Sequence, residues 1–204
     1  YPARTRGRGC DLKSANGPAT SHKNETPPGR RRRAGDRAQP LEVQLPGKAT
    51  VLMQIRLATE RDLTAVISCA DQAFAPQDAG AAENEIKPDG ELTAQLRDGA
   101  IHLICDGPRV LGYISLCPVA QHLYIDRIAV LPKLQGRGLG GQLLAFAERE
   151  ASRLGLSSLR LFTKAAMASN LLFYRRRGYH ETGRCDDDGF CRVFYSKDVA
   201  TPAM

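Results

Sequence analysis

No stretch of this 204-residue chain is apolar for long enough to cross a membrane as a helix. The longest run without a charge, Val110–Ile125, is too short and is broken by Pro118, Gln121 and His122. The N-terminal residues lack the apolar core of a secretory leader. The six cysteines, Cys10, Cys69, Cys105, Cys117, Cys185 and Cys191, include no Cys-x-x-Cys pair and no metal-ligand spacing, so no metal is expected. Cys105 and Cys117 lie in apolar runs, where cysteine acts as a small hydrophobe. Free thiols in a reducing compartment, the cytoplasm, are therefore expected. There is also no Gly-Lys-Ser/Thr, which excludes a nucleotide-binding P-loop.

What the chain has in excess is positive charge, a net of +7 from 29 Lys and Arg against 22 Asp and Glu. Residues 1–52 hold eleven of the basic residues and four of the acidic ones, which leaves 18 of each beyond them. The whole excess thus sits in the first quarter, and residues 53–204 are neutral overall. That first segment has six prolines, six glycines and a single aromatic, Tyr1, too little apolar surface to offset the entropy of ordering, so a disordered basic tail is expected. Its Arg30-Arg31-Arg32-Arg33 run could contact nucleic acid, but no aromatics interleave with the charges to stack on bases, and a solvated run is the simpler reading. Patterning of the folded kind opens at Met53, so residues 1–52 also read as sequence upstream of the working protein.

Residues 53–204 are long enough to bury a core without staples. Gln54–Ala58 reads as a strand; Thr59 with Asp62 is a capping-box pattern for a helix to Phe74. Residues 75–90 read as loop, and Glu91–Arg97 as a short helix. Ile101–Cys105 and Val110–Cys117 form a hairpin around Asp106-Gly107-Pro108-Arg109, and Gln121–Leu131 is a third strand. Leu139, Leu143, Phe146, Ala147, Ala151 and Leu154 then recur at helical spacing, with Gly155 as the stop. Leu159–Thr163 is a strand, Ala168–Arg177 a helix ended by Gly178, and Tyr179–Cys185 and Phe190–Lys197 a hairpin around Asp186-Asp187-Asp188-Gly189. The order predicts a mixed sheet with helices packed on it.

Between the third strand and the long helix lies Leu134-Gln135-Gly136-Arg137-Gly138-Leu139-Gly140-Gly141. A glycine-rich turn into a helix start exposes backbone N–H groups where the helix dipole favours an anion, and Arg137 adds a cation. Gly136-x-Gly138-x-x-Gly141 matches the dinucleotide pattern literally. However, four residues including Pro132 separate the strand from the first glycine, and the next strand lacks the acid that would bind a ribose. A dinucleotide-dependent enzyme stays as the alternative, beside a non-catalytic acyl-CoA-binding module.

The same residues fit a second pattern. Gln135-x-x-Gly138-x-Gly140 after Ile-Ala-Val-Leu-Pro, together with Tyr-Ile-Asp-Arg before it and Phe-Tyr-Arg-Arg-Arg-Gly-Tyr at residues 173–179, resembles the GNAT N-acetyltransferase family in order and spacing. The resemblance runs from Met53 nearly to the C-terminus. It implies a mixed α/β fold: a central, mostly antiparallel sheet with splayed middle strands, flanked by helices. It implies transfer of an acetyl group from acetyl-CoA, without a metal, to a primary amine of a small molecule or peptide, no membrane partner, and room for a homodimer. The main chain of Ile128, Ala129 and Val130 would bond the pantetheine arm like an added strand. Backbone N–H groups of Gln135, Gly136, Arg137, Gly138, Leu139 and Gly140, with Gly141, would hold the pyrophosphate. Tyr174 matches the tyrosine that protonates the leaving thiolate, and Asp126 lies where relatives carry an acidic group that can act as base. His122 and Tyr124 would line the acceptor cleft, and the three aspartates 186–188 would attract a cationic amine. Many relatives place an asparagine seven residues before the tyrosine; here that position is Met167, and Asn170, four before Tyr174 on one helix face, is the expected cofactor contact.

Overall fold

The computed structural model describes residues 39–43, 51–75, 88–187 and 190–200. Among the described residues eight strands form one sheet: β1 (Gln39–Val43), β2 (Val51–Leu57), β3 (Ile101–Asp106), β4 (Arg109–Val119), β5 (His122–Val130), β6 (Ser158–Lys164), β7 (His180–Asp187) and β8 (Phe190–Asp198). Their spatial order is β1-β2-β3-β4-β5-β6-β8-β7, antiparallel throughout except for β5 with β6. The helices are α1 (Leu63–Phe74), α2 (Pro88–Arg97), α3 (Leu139–Arg153) and α4 (Ala168–Arg175). This is the mixed, mostly antiparallel sheet expected from the sequence.

Two cores lie on the two faces of the sheet. On one, Val66, Cys69 and Ala70 of α1 and Leu92 and Leu96 of α2 pack on Ile101, Leu103, Tyr113 and Ala129. On the other, the apolar stripe of α3, joined by Leu144, packs with Tyr174 of α4 on Ile114, Leu123, Ile125, Leu159, Leu161, Val193 and Tyr195. The predicted stop is present: Gly155 adopts φ +70, as does Gly178 at φ +81 after α4, conformations that cost glycine nothing.

Thr59 and Asp62 form the expected capping arrangement around a short 3-10 turn (Glu60–Asp62) that leads into α1. The Thr59 backbone N–H and hydroxyl both donate to Asp62 Oδ2 at 2.8 Å. Arg56 of β2 grips both Asp62 oxygens at 2.7 and 2.8 Å, and this pairing holds the carboxyl far below the usual range.

Several boundaries differ from expectation. β2 opens at Val51, two residues before Met53, and β1 pairs along it as an edge strand inside the segment read as tail. Pro40 suits such an edge, where one face of the ladder needs no donor. The rest of that reading, with the Arg30–Arg33 run, lies outside the described residues. α2 begins at Pro88 rather than Glu91, because proline is tolerated at the first helical position, where no N–H partner is needed. α4 ends at Arg175, and the turn to Gly178 follows. Cys69, Cys105, Cys117 and Cys191 are free thiols as expected, whereas Cys185 is disulfide-bonded, which spacing between neighbouring cysteines could not reveal.

The middle of the sheet is parted. β5 pairs with β6 only through His122–Tyr124 against Ser158–Arg160, although both strands run on. Each is held on its other side along its length, β5 by β4 and β6 by β8. A bulge places Asp126 opposite no residue of β4: Ile125 faces Leu116, and Arg127 faces Ser115. Such an extra residue bends a strand, and it falls where the pairing of β5 with β6 has ended. β4 approaches β5 closely further along. A Cβ on Gly112 would lie 2.5 Å from the Ala129 carbonyl oxygen and 3.2 Å from the Val130 Cα. Gly112→Ala should therefore destabilise the fold by about 1–3 kcal/mol, the usual cost of overpacking, read as a lower denaturant midpoint. An unchanged midpoint would mean that β4 and β5 part there freely.

Candidate active site

The turn after β5 begins with Pro132–Leu134, one turn of 3-10 helix, and the Gln135 N–H closes it on the Pro132 carbonyl at 3.2 Å. The Gln135 side chain reaches back, its Nε2 donating to the Val130 carbonyl at 3.1 Å. Gly136 (φ +74) and Gly138 (φ +85) take left-handed conformations, and Gly138 caps α3. From Gly136 to Gly141 six successive N–H groups have no partner among the described residues; the first bonded one is that of Gln142, on Gly138. They open at the positive end of a fifteen-residue helix, a cradle for an anion. Gln135 stands apart from them, its N–H and amide both spent on building the turn.

The last two glycines serve packing. A Cβ on Gly140 would come 3.2 Å from the Phe173 ring, and one on Gly141 would strike the Arg177 guanidinium. Arg177 itself stacks 4.6 Å from the Phe173 ring centroid, so α4 seats its end on the first turn of α3. Leu139 is buried in the core and Arg137 is exposed.

Ile128, Ala129 and Val130 lie on the stretch of β5 that β6 has left. Ile128 and Val130 pack on the α3 face, and Ala129 packs on the α1–α2 face. The backbone edge towards the gap carries no ladder, and the Val130 carbonyl is satisfied by Gln135. An edge of this kind accepts an extended chain.

Tyr174 is 5% exposed, ringed by Phe173, Tyr179 and Tyr195 with centroids 5.3, 5.8 and 5.8 Å away. Burial pushes its hydroxyl up to about 12, so it keeps its proton at neutral pH. Asn170 donates to Thr163 Oγ1 at 3.3 Å and to Met167 Sδ at 3.5 Å, which ties α4 to β6. Met167, not Asn170, occupies the cap position of α4.

Asp126 is half-buried on the opposite face of the sheet. Its Oδ2 accepts from Gln95 Nε2 of α2 at 2.8 Å and lies 3.5 Å from Arg127 Nε. Tyr124 is near it: burial pushes that hydroxyl up to about 12, Asp126 adds to the rise and Arg192 opposes it. His122 is shifted down by burial and by Arg160. Asp186 pairs with Cys191, which shares the strand side of Val193 and Tyr195, so it lies on the α3 face, away from Asp126. The Asp187 side chain and Asp188 lie outside the described residues.

The model of the acetyltransferase (GNAT) family matches residues 67–179, more than half of the chain. The chain belongs to that family. Aminoalkylphosphonate N-acetyltransferase of Salmonella typhimurium is 33% identical over 110 residues, which take in half of this chain and 65% of that relative. The PaiA N-acetyltransferase of Thermoplasma acidophilum, solved with coenzyme A, superposes at TM-score 0.64 with 21% identity, covering 72% of this chain and 98% of that one. The ribosomal-protein-alanine N-acetyltransferase of Brucella melitensis does so at 0.56 with 24% identity, covering 71% and 99%. The fold of these structures is that of this GNAT chain, and a sheet with one parallel pair does not provide the parallel frame of a dinucleotide fold.

Sequence reasoning did not reach Gln95 or Ser115, which touch Asp126 or its partner from 31 and 20 residues away. It also left the Gln135 side chain without a definite task. The cradle generates a direct test. Gly138→Asp would set a branched, negative side chain at a φ +85 position facing the anion site. The folded variant should bind coenzyme A at least about tenfold more weakly by calorimetry; normal titration would show that the turn is not the phosphate site.

Proposed function

We propose that this chain transfers an acetyl group from acetyl-CoA directly to a primary amine. The observation that carries the reading is the adjacency of two unpaired backbone surfaces: the parted edge of β5 and the six free N–H groups at the start of α3. The first suits the extended pantetheine arm, held by the main chain of Ile128 and Val130; the Ala129 groups, also expected there, turn to β4 instead. The second suits the pyrophosphate. Family membership and the coenzyme A in the PaiA structure support the same ligand.

Acetyl-CoA supplies the activated acetyl thioester. A neutral amine must attack it, and Asp126 takes the proton that the amine loses. The new C–N bond forms as the C–S bond breaks, and the Tyr174 hydroxyl gives its proton to the departing sulfur. Its burial suits this role, because it arrives protonated at any pH up to strongly alkaline conditions. Tyr174 and Asp126 belong to opposite faces of the sheet, so the proposed transfer would run through the gap between β5 and β6.

The side chains on the face of β6 beside the gap support an acceptor that carries an anion as well as an amine. Arg160, Phe162 and Lys164 alternate with the buried Leu159, Leu161 and Thr163 along β6. Phe162 is 37% exposed and faces Phe194 of β8 at 6.1 Å, and the Arg192 guanidinium lies 5.2 Å over its ring. The Salmonella relative is named for aminoalkylphosphonates, which join an amine to a phosphonate.

Two measurements test the proposal. Tyr174→Phe should lower kcat by about 10²-fold or more while leaving the Kd for acetyl-CoA unchanged; native turnover would remove Tyr174 as the acid. Acceptors should be ranked by mass detection of the acetylated product. 2-Aminoethylphosphonate and β-alanine should exceed ethylamine and a peptide N-terminus in kcat/KM, and Arg160→Gln should narrow that difference. Equal rates across the panel would remove the anionic acceptor.

A further inference from the structure

Asp126 sits in the bulge of β5, and α2 holds that bulge through two side chains one turn apart. Glu91 pairs with Arg127, and Gln95 pairs with Asp126. A carboxylate can only accept, so the Gln95 amide must present Nε2 to it; Oε1 then accepts from Ser115 Oγ at 2.9 Å. Ser115 is 1% exposed and lies on β4 opposite Arg127, so the amide is pinned from both ends by parts of the sheet. Both contacts to Asp126, that from Gln95 and the longer one from Arg127, fall on Oδ2. No side-chain hydrogen bond to Oδ1 is present among the described residues, whereas Oδ2 has that of Gln95.

We propose that Gln95, oriented by Ser115, is a positioning residue for acetyl transfer: it occupies Oδ2 of Asp126 and leaves Oδ1 as the atom that receives the proton of the acceptor amine. The inference rests on Asp126 acting as the base. A hydrogen bond from a neutral donor suits this task, because it fixes the carboxylate without neutralising it. A carboxylate on a half-buried strand without that bond would be free to rotate about its terminal torsion, which is broad in aspartate.

The test is a double-mutant cycle on the full chain. Gln95→Met keeps the length and removes the donor; it should lower kcat about tenfold with KM for acetyl-CoA within about twofold of native and the thermal midpoint retained. Asp126→Asn should lower kcat further, and Gln95→Met added to it should have no additional effect, since the two residues act as one unit. Ser115→Ala, which removes only the group that orients the amide, should show a smaller loss of the same kind and serves if Gln95→Met does not fold. If Gln95→Met slows the Asp126→Asn enzyme by the factor it shows in the native chain, the positioning role is overturned and the base assignment stands. If Asp126→Asn turns over at the native rate, the base assignment fails and the role of Gln95 fails with it.

Discussion

The parting of β5 from β6 after three residue pairs is the constraint from which the rest follows. A continuous ladder there would satisfy the main-chain groups of β5 and leave no strand edge to bind with. The parting is held open by competing pairings, since each of the two strands is zipped along its outer side to a different neighbour. The bulge at Asp126 and the close approach of Gly112 to β5 lie on the β4 side of that competition. α3 fills the space beneath with leucines, phenylalanine and alanines, and its first turn is delivered to the mouth of the gap.

Main-chain groups in a folded protein are nearly always paired, so a run of unpaired ones is information about a ligand. The groups left over here are distributed along a path: the strand edge at Ile128–Val130, then the turn, then the helix start. One carbonyl on that path is already taken, that of Val130, by Gln135. The result is a template made of backbone, in which side chains mostly face the two cores. Leu139 illustrates the division, its N–H in the cradle and its side chain buried. Recognition by main chain asks little of residue identity beyond glycine at the left-handed positions.

Much of this was legible in the sequence because it is written locally. The two glycine-ended helices, the hairpin around Gly107, the capping pair Thr59–Asp62 and the apolar stripe of α3 all depend on residues within a few positions of one another. The turn at Gly136–Gly141 declares itself for the same reason. The parted strands were accessible only through resemblance, because no local pattern says where a strand will leave its neighbour. Strand β1 was missed because Gln39–Val43 is short, carries Pro40 and Glu42, and lies in a segment rich in proline, glycine and charge; pairing with β2 supplies what its own composition lacks. Gln95 and Ser115 were invisible for a further reason. Their meeting at Asp126 depends on the register of β4 against β5 and on one extra residue in the bulge. A shift of register by a single position would turn Ser115 to the other face of the sheet.

The gap also divides the sheet mechanically. β1 to β5 with α1 and α2 form one wedge, and β6, β8 and β7 form another, joined by the short parallel pairing at His122–Tyr124 and by α3 packed across both. The two wedges share one apolar core, in which Leu123 of β5 and Leu159 of β6 pack together with α3. In the proposed transfer a ligand laid along β5 would bond chiefly to one wedge while Tyr174 packs on Val193 and Tyr195 of the other, so the packing of that shared core would bear on the spacing between them.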